Sequence, residues 1–242
     1  MIQIGFKCNR GVVRQNNEDA CFVMPSHDVY IVADGVGGNN SGEIASRTAV
    51  ETIASYVKEK ELEKCETTEN IFEFLTAAID TANAKIFTSG MTNPQHRGMA
   101  TTLVMIYIKD NIGYIVNIGD SRAYVLRNGK LSQITVDHTY VNELIAKGVI
   151  TEDEAENHIQ KNVITKALGA ERFAEPDFYQ INLKSDDVIM LCSDGLYGEV
   201  NEDRITDLII NAETMNGLTA DLVDEANRAG GRDNITVVCI RV

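Results

Sequence analysis

Five times along the chain an acid stands where an apolar run meets a Gly- or Asn-rich turn. Val29-Tyr30-Ile31-Val32-Ala33 runs into Asp34-Gly35, Ile115-Val116-Asn117-Ile118 into Gly119-Asp120-Ser121, and Val188-Ile189-Met190-Leu191-Cys192 into Ser193-Asp194-Gly195. Glu18-Asp19 opens an apolar stretch at 20–24, and Gly231-Arg232-Asp233-Asn234 opens the last one. A single Asp-Gly is ordinary turn chemistry, because Asp bonds its own backbone and Gly supplies positive φ. Five at the ends of core strands point further, since sheet packing gathers strand ends into one cleft. Two carboxylates about 4 Å apart repel by roughly 4 kcal/mol at an effective dielectric near 20. Such a group is stable only if protonated or bound to cations. Oxygen ligands without histidine suit Mg²⁺ or Mn²⁺ rather than zinc or copper, and beside a glycine the backbone carbonyl of Gly35 can approach an ion directly.

Two such ions roughly 3.5–4 Å apart can share a water and bring its pKa from 15.7 toward neutrality, which suits in-line attack on phosphorus. Phosphate monoesters need accelerations of up to about 10²¹, and so need dense positive charge at the phosphoryl oxygens. Arg14 lies four residues before Glu18, and its planar fork matches a phosphate. Arg14 alone would read as a surface charge.

The elements that must position these acids follow from the apolar pattern. Strands are expected at 29–33, 102–108, 112–118, 123–126, 130–134, 188–192 and 235–242. Asn128-Gly129 marks a two-residue hairpin, and Lys109-Asp110-Asn111 another. Helical spacing of apolar residues covers 41–60, with Asn40 and Glu43 as its capping residues, and 71–87. Further helices are expected at 202–210 and 218–229, and two short ones at 141–147 and 152–158, the second opened by Thr151 and Glu154. Long helices with hairpin-rich strands predict an α+β fold, two antiparallel sheets covered by helices. Residues 139–165 read as an insertion over one end.

The 242 residues carry no Pro/Ser-rich linker and no repeat, which predicts one domain over 1–242. The net charge of −14 opposes binding to nucleic acid or anionic lipid. The five cysteines include no Cys-x-x-Cys pair, against both a disulfide framework and a zinc site. Cys192 and Cys239 sit in apolar runs and are expected to be buried. There is no secretory leader pattern in 1–10 and no membrane-length apolar stretch, so a cytoplasmic setting is expected. His27, His96, His138 and His158 read as structural or surface residues.

Motifs spread over most of the chain sharpen this. Gly11-Val12-Val13-Arg14 with Asn17-Glu18-Asp19, Val32-Ala33-Asp34-Gly35-Val36-Gly37-Gly38 with Gly42-Glu43, and Gly98-Met99-Ala100-Thr101-Thr102 come first. Asn117-Ile118-Gly119-Asp120-Ser121-Arg122-Ala123-Tyr124, Asp137-His138-Thr139 and Ile164-Thr165-Lys166-Ala167-Leu168-Gly169 follow. Cys192-Ser193-Asp194-Gly195-Leu196 and Gly230-Gly231-Arg232-Asp233-Asn234-Ile235-Thr236 complete the set. In this order they resemble the metal-dependent protein serine/threonine phosphatases of type 2C, in their compact bacterial form.

The resemblance implies an α/β/β/α four-layer sandwich that hydrolyses phosphoserine and phosphothreonine by direct attack of a metal-bridging water. It implies that Asp34 bridges two Mn²⁺ or Mg²⁺ ions, that Asp194 and Asp233 complete one site, and that Glu18 and the Gly35 carbonyl serve the other. Asp120 with Asp194 matches a third site, Arg14 the phosphate-binding arginine, and Asp19 and Asn234 residues that orient water or ligands. Residues 139–165 match the family's flap. Phosphorylated proteins, a serine/threonine kinase and its targets among them, are the expected partners of a monomer. Three departures from the family pattern stand out. Val36 and Asn39 stand where many relatives carry histidine, Ala100 replaces a glycine, and the flap ends His158-Ile159-Gln160-Lys161-Asn162 rather than His-Pro-Arg-Arg-Asn. Two rival readings use the same residues. Cys8 to Arg14 fits the C-x₂-G-x₂-R spacing of cysteine-based tyrosine phosphatases, and a catalytically silent phosphoprotein-binding module would keep the acids without turnover.

Overall fold

The computed structural model describes residues 2–36 and 41–242. In chain order the strands are β1 (Gln3–Asn9), β2 (Asp19–Met24), β3 (Val29–Val36), β4 (Ala100–Thr101), β5 (Leu103–Lys109), β6 (Ile112–Ile118), β7 (Arg122–Arg127), β8 (Lys130–Gln133), β9 (Asp177–Asn182), β10 (Val188–Cys192) and β11 (Ile235–Arg241). The helices are α1 (Gly42–Lys60), α2 (Thr68–Thr92), α3 (Tyr140–Ala146), α4 (Glu152–Glu156), α5 (Asp194–Tyr197), α6 (Glu202–Ile210) and α7 (Met215–Ala229).

The strands form two antiparallel sheets. One runs β1-β11-β10-β7-β8, the other β2-β3-β5-β6-β9, with β4 beside the end of β3. Both predicted hairpins form. Asn128 and Gly129 have φ of 53° and 77°, and Asp110 and Asn111 have 51° and 60°, the left-handed values that let a two-residue turn follow the strand twist.

Side-chain alternation builds the layers. Along β3, Val29, Ile31 and Ala33 face α1 and α2, whereas Tyr30 and Val32 face the other sheet. Along β11, Ile235, Val237 and Cys239 face the α5–α7 side, whereas Val238 and Ile240 meet the first set between the sheets. The period of two thus gives every central strand two apolar faces. The result is the expected four-layer sandwich, helices outside and two sheets within. Cys192 and Cys239 are buried in it.

The differences from expectation lie at the margins. The strands β1 and β9 were not anticipated; both are edge strands with exposed positions, so their apolar signal is diluted. Helix α2 runs beyond 71–87 because Thr67 caps it three residues earlier, through a bond from the Asn70 amide, and its last turns are exposed. Ser41 occupies the cap position of α1. The expected cap Asn40, like Gly37, Gly38 and Asn39, lies outside the described residues. Thr151 and Glu154 form the reciprocal capping box at α4. Segment 139–165 leaves and rejoins the sandwich at one point, where Thr139 bridges Ile164 and the Thr165 amide donates to the His138 carbonyl at 2.8 Å.

Candidate active site

The acids come from both sheets. In the six-stranded sheet, β2 and β3 pair so that Asp19 lies directly opposite Asp34. The Asp34 backbone is fixed on three sides: its carbonyl accepts from the Thr102 amide at 2.8 Å and the Thr101 hydroxyl at 2.9 Å, and its amide donates to the Thr102 hydroxyl at 3.0 Å. The Thr102 hydroxyl also meets that of Ser121 at 2.7 Å, tying Asp34 to the loop that carries Asp120. That loop joins β6 to β7, and so crosses from one sheet to the other.

From the five-stranded sheet, Asp194 follows β10 and Asp233 precedes β11, its antiparallel neighbour. Ser193 stitches the sheets together. Its hydroxyl donates to Asp19 Oδ2 at 2.7 Å and accepts from the Thr236 amide at 3.0 Å. Asn234 does the same for the N-terminal loop. Its side-chain carbonyl accepts from the Glu18 amide at 2.8 Å, and its side-chain amide donates to the carbonyls of Arg10 at 2.8 Å and Asn16 at 2.9 Å. Arg14 then places Nη2 2.6 Å from Asp233 Oδ2.

Glycine is required where the backbones converge. A Cβ on Gly42 would lie 2.7 Å from Glu18 Oε2 and 2.8 Å from the Gly35 carbonyl, and one on Gly35 would strike the Gly42 carbonyl at 2.2 Å. Helix α1 and the Asp34 turn can approach this closely only without side chains.

The electrostatics follow from this crowding. Burial holds the Asp34 carboxyl well above its ordinary range, and the neighbouring charges of Asp19, Asp194, Asp120 and Asp233 add to the rise. Asp19 is pushed up to about 7, by burial first and then by Asp194 and Asp233, against hydrogen bonds from Ser193 and Thr236. Asp120 reaches about 7 through burial and the charges of Asp194 and Asp137. Asp194 is raised by burial and Asp233, opposed by a hydrogen bond with Asp34 and by Arg14. Asp19 Oδ1 and Asp194 Oδ1 are buried without a hydrogen-bond donor among the described residues.

An all-oxygen set, mutually repelling and with orphaned lone pairs, fits a hard divalent cation. Among the described residues no three such side chains close tightly enough to chelate an ion unaided. Such ions commonly keep several waters in their coordination shell.

The structure therefore brings together Glu18, Asp19, Asp34, Gly35, Asp120, Asp194, Asp233, Asn234 and Arg14. Cys8 has no place in a thiolate mechanism. It lies in β1, ahead of a turn rather than a helix N-terminus. Its thiol accepts from Asn17 Nδ2 at 3.0 Å and is pushed up, chiefly by desolvation. His138 is buried, with Nδ1 accepting from the Gly119 amide at 3.1 Å and Nε2 3.1 Å from Asp177 Oδ2. The positioning roles of Ser193, Thr101 and Ser121 were not foreseen. Ser193 and Ser121 were visible only as neighbours of acids, and Thr101 only as a member of a quoted motif.

A metal-assisted phosphoryl hydrolase is the class that this sandwich and its cleft of acids define. The model of the protein phosphatase 2C family matches residues 11–233. The serine/threonine phosphatase stp of Listeria monocytogenes is 36% identical over 97% of this chain and 94% of its own. A serine/threonine phosphatase structure from S. agalactiae superposes with a TM-score of 0.90 at 32% identity, covering 100% of both chains. The catalytic domain of the serine/threonine protein phosphatase PstP, in complex with two manganese ions, gives a TM-score of 0.84 at 33% identity over 99% of this chain and 97% of that one. The chain belongs to the protein phosphatase 2C family and is a metal-dependent serine/threonine protein phosphatase.

Proposed function

We propose that Glu18, Asp34, the Gly35 carbonyl, Asp194 and Asp233 would hold two Mn²⁺ or Mg²⁺ ions, and that Asp120 with Asp194 would serve a third. The convergence of mutually raised acids from both sheets, with Arg14 seated on Asp233, carries this reading. The two manganese ions in the related PstP domain support the count. When bound, the ions supply a water activated near neutral pH and positive charge at the phosphoryl oxygens.

The chain's own residues do the rest. Arg14 extends its fork to the phosphate, giving up part of its bond to Asp233, and holds the ester in line. Asp19, locked by Ser193, and Asn234, locked on three backbone groups, keep the surrounding ligands in place. Val36 is exposed beside the Asp34 turn, and a valine side chain brings no proton to the leaving group.

The chain acts as a single catalytic domain, a monomer, with 139–165 as its flap; the Thr139–Ile164 bridge at the base of that segment suits a hinged role. Its substrates are phosphorylated proteins, a serine/threonine kinase and that kinase's targets among them. The setting is the cytoplasm, in keeping with five unpaired cysteines. The test is phosphate release from a phosphothreonine peptide with Mn²⁺ and then with excess EDTA. Turnover abolished by EDTA and restored by Mn²⁺ is expected. Turnover indifferent to EDTA overturns the metal assignment, and no turnover on any phosphopeptide favours the silent binding module.

A further inference from the structure

The loop 230–234 is a junction for the whole cleft. Its Gly231 carbonyl accepts from the amides of Val12 at 2.8 Å and Val13 at 3.1 Å, so the strand-to-strand loop bearing Arg14 rests on it. Gly11 packs against the same loop so closely that a Cβ there would lie 2.1 Å from the Asp233 carbonyl. Asn234 fixes the Glu18 amide, and Asp233 meets Arg14. One side of the loop is anchored on the end of α7, where the Gly231 amide donates to the Ala226 carbonyl at 3.0 Å.

The other side is anchored by an ion pair that no metal or phosphate role requires. Glu199 lies two residues beyond α5, the short helix that Asp194 opens. Its carboxylate takes three bonds from Arg232: the backbone amide at 3.3 Å, Nε at 2.7 Å and Nη2 at 2.9 Å. The Glu199 side chain is only 6% exposed, whereas that of Arg232 is 73% exposed. A carboxylate enclosed in this way and matched to a planar fork fixes orientation as well as distance. Gly230 leaves room for it, since a Cβ there would come within 3.0 Å of Glu199 Oε2.

We infer that Glu199, through Arg232, is a positioning residue that sets Asp233 against Asp194 and thereby tunes both cation affinity and the placement of Arg14. This rests on the proposed roles of Asp194 and Asp233. Neither the Glu199 nor the Arg232 side chain is among the groups proposed to hold the cations or the phosphate. Their effect is to hold two carboxylates together against the repulsion between them.

The experiment is calorimetric titration of Mn²⁺ into the metal-free protein, for wild type and for Glu199→Ala, Glu199→Gln, Arg232→Ala and the double variant, with thermal unfolding of each. Partners that orient metal ligands typically contribute 10- to 100-fold in affinity, and an indirect anchor belongs at the lower end. Glu199→Ala and Arg232→Ala are each expected to weaken Mn²⁺ binding by about ten-fold. The double variant should be no weaker than the worse single one, because the two act as one unit. Glu199→Gln, which keeps an acceptor for the Arg232 amide, should fall between. The KM for a phosphothreonine peptide at saturating Mn²⁺ should also rise, through Arg14. Folded variants with unchanged Mn²⁺ affinity and KM, differing only in melting temperature, overturn the inference. Asp233→Asn is the control for the underlying reading. If it binds Mn²⁺ as wild type does, the ligand assignment fails and this inference with it. If it binds weakly while Glu199→Ala binds normally, the inference alone fails.

Discussion

Removing one acid from the cleft should stabilise the metal-free protein, and the amount should depend on pH. Asp120 is the suitable site, since its carboxyl stands at about 7 against an ordinary 3.8. A folded-state pKa above the unfolded one means that the native state binds more protons between these values. Stability then falls as pH rises from about 4 to about 7, and the loss is complete above that window. A shift of about 3 units corresponds to about 4 kcal/mol. Repulsion shared with Asp194 makes this an upper bound for Asp120 taken alone. Asp120→Asn abolishes the titration while keeping the shape. The measurement is urea unfolding of wild type and Asp120→Asn in EDTA at steps from pH 4.5 to 8. The variant is expected to be the more stable at pH 8, by up to about 4 kcal/mol, with the gap closing toward pH 4.5. Comparing the two proteins cancels the titration of groups common to both. With excess Mn²⁺ the dependence should reverse for wild type, because cations bind the ionised carboxylates and stabilise as RT ln(1 + [L]/Kd). A difference in EDTA below about 1.4 kcal/mol, one pKa unit, across the whole range would refute the argument that burial and mutual repulsion set this site.

Two further outcomes separate the mechanism from its rivals and test its packing. Cys8→Ser should retain turnover while Asp194→Asn loses it by at least about 100-fold, assayed on a phosphothreonine peptide with Mn²⁺; the opposite pair of results would revive the thiolate. Gly42→Ala should fold, since α1 gains a better helix former, yet bind Mn²⁺ at least about ten-fold more weakly in calorimetry, because the new methyl meets Glu18 Oε2 and the Gly35 carbonyl at 2.7 and 2.8 Å.

The interior of the fold was legible because its signals are local. Strands β6 and β10 and helix α6 fall on their expected residues, since each is an unbroken apolar run or a clear helical period between turn residues. Two of the edge strands were not legible: β1 shows one buried position in seven and β9 none, so neither carries a two-sided apolar pattern. The acids were visible as types at strand ends, and the motif order connected them. Their supports were not. The bond from Ser193 to Asp19 spans 174 residues and that from Arg14 to Asp233 spans 219, and no local pattern announces a contact of that separation. The Glu199–Arg232 pair was hidden for the same reason: each residue alone reads as a surface charge.

The supports also explain how the cleft can exist before any cation binds. Burial, with the charges of neighbouring acids, raises Asp19, Asp34, Asp120 and Asp194, so the framework must hold what electrostatics would disperse. It does so mostly with side chains that grip backbone, and for Asp19 with one that grips the carboxylate itself. Asp34 is pinned by two threonines, Asp19 by a serine on the opposite sheet, and Glu18 by an asparagine that itself spans three backbone groups. The pins cluster at the ends of the central strands β3, β10 and β11, whose two faces are buried, so a shift of one acid would disturb packing on both sides of the sandwich. Electrostatic strain is thus concentrated at one end of a rigid double sheet. There, ligand groups already in place lose little conformational entropy on binding, which is where preorganisation contributes most to catalysis.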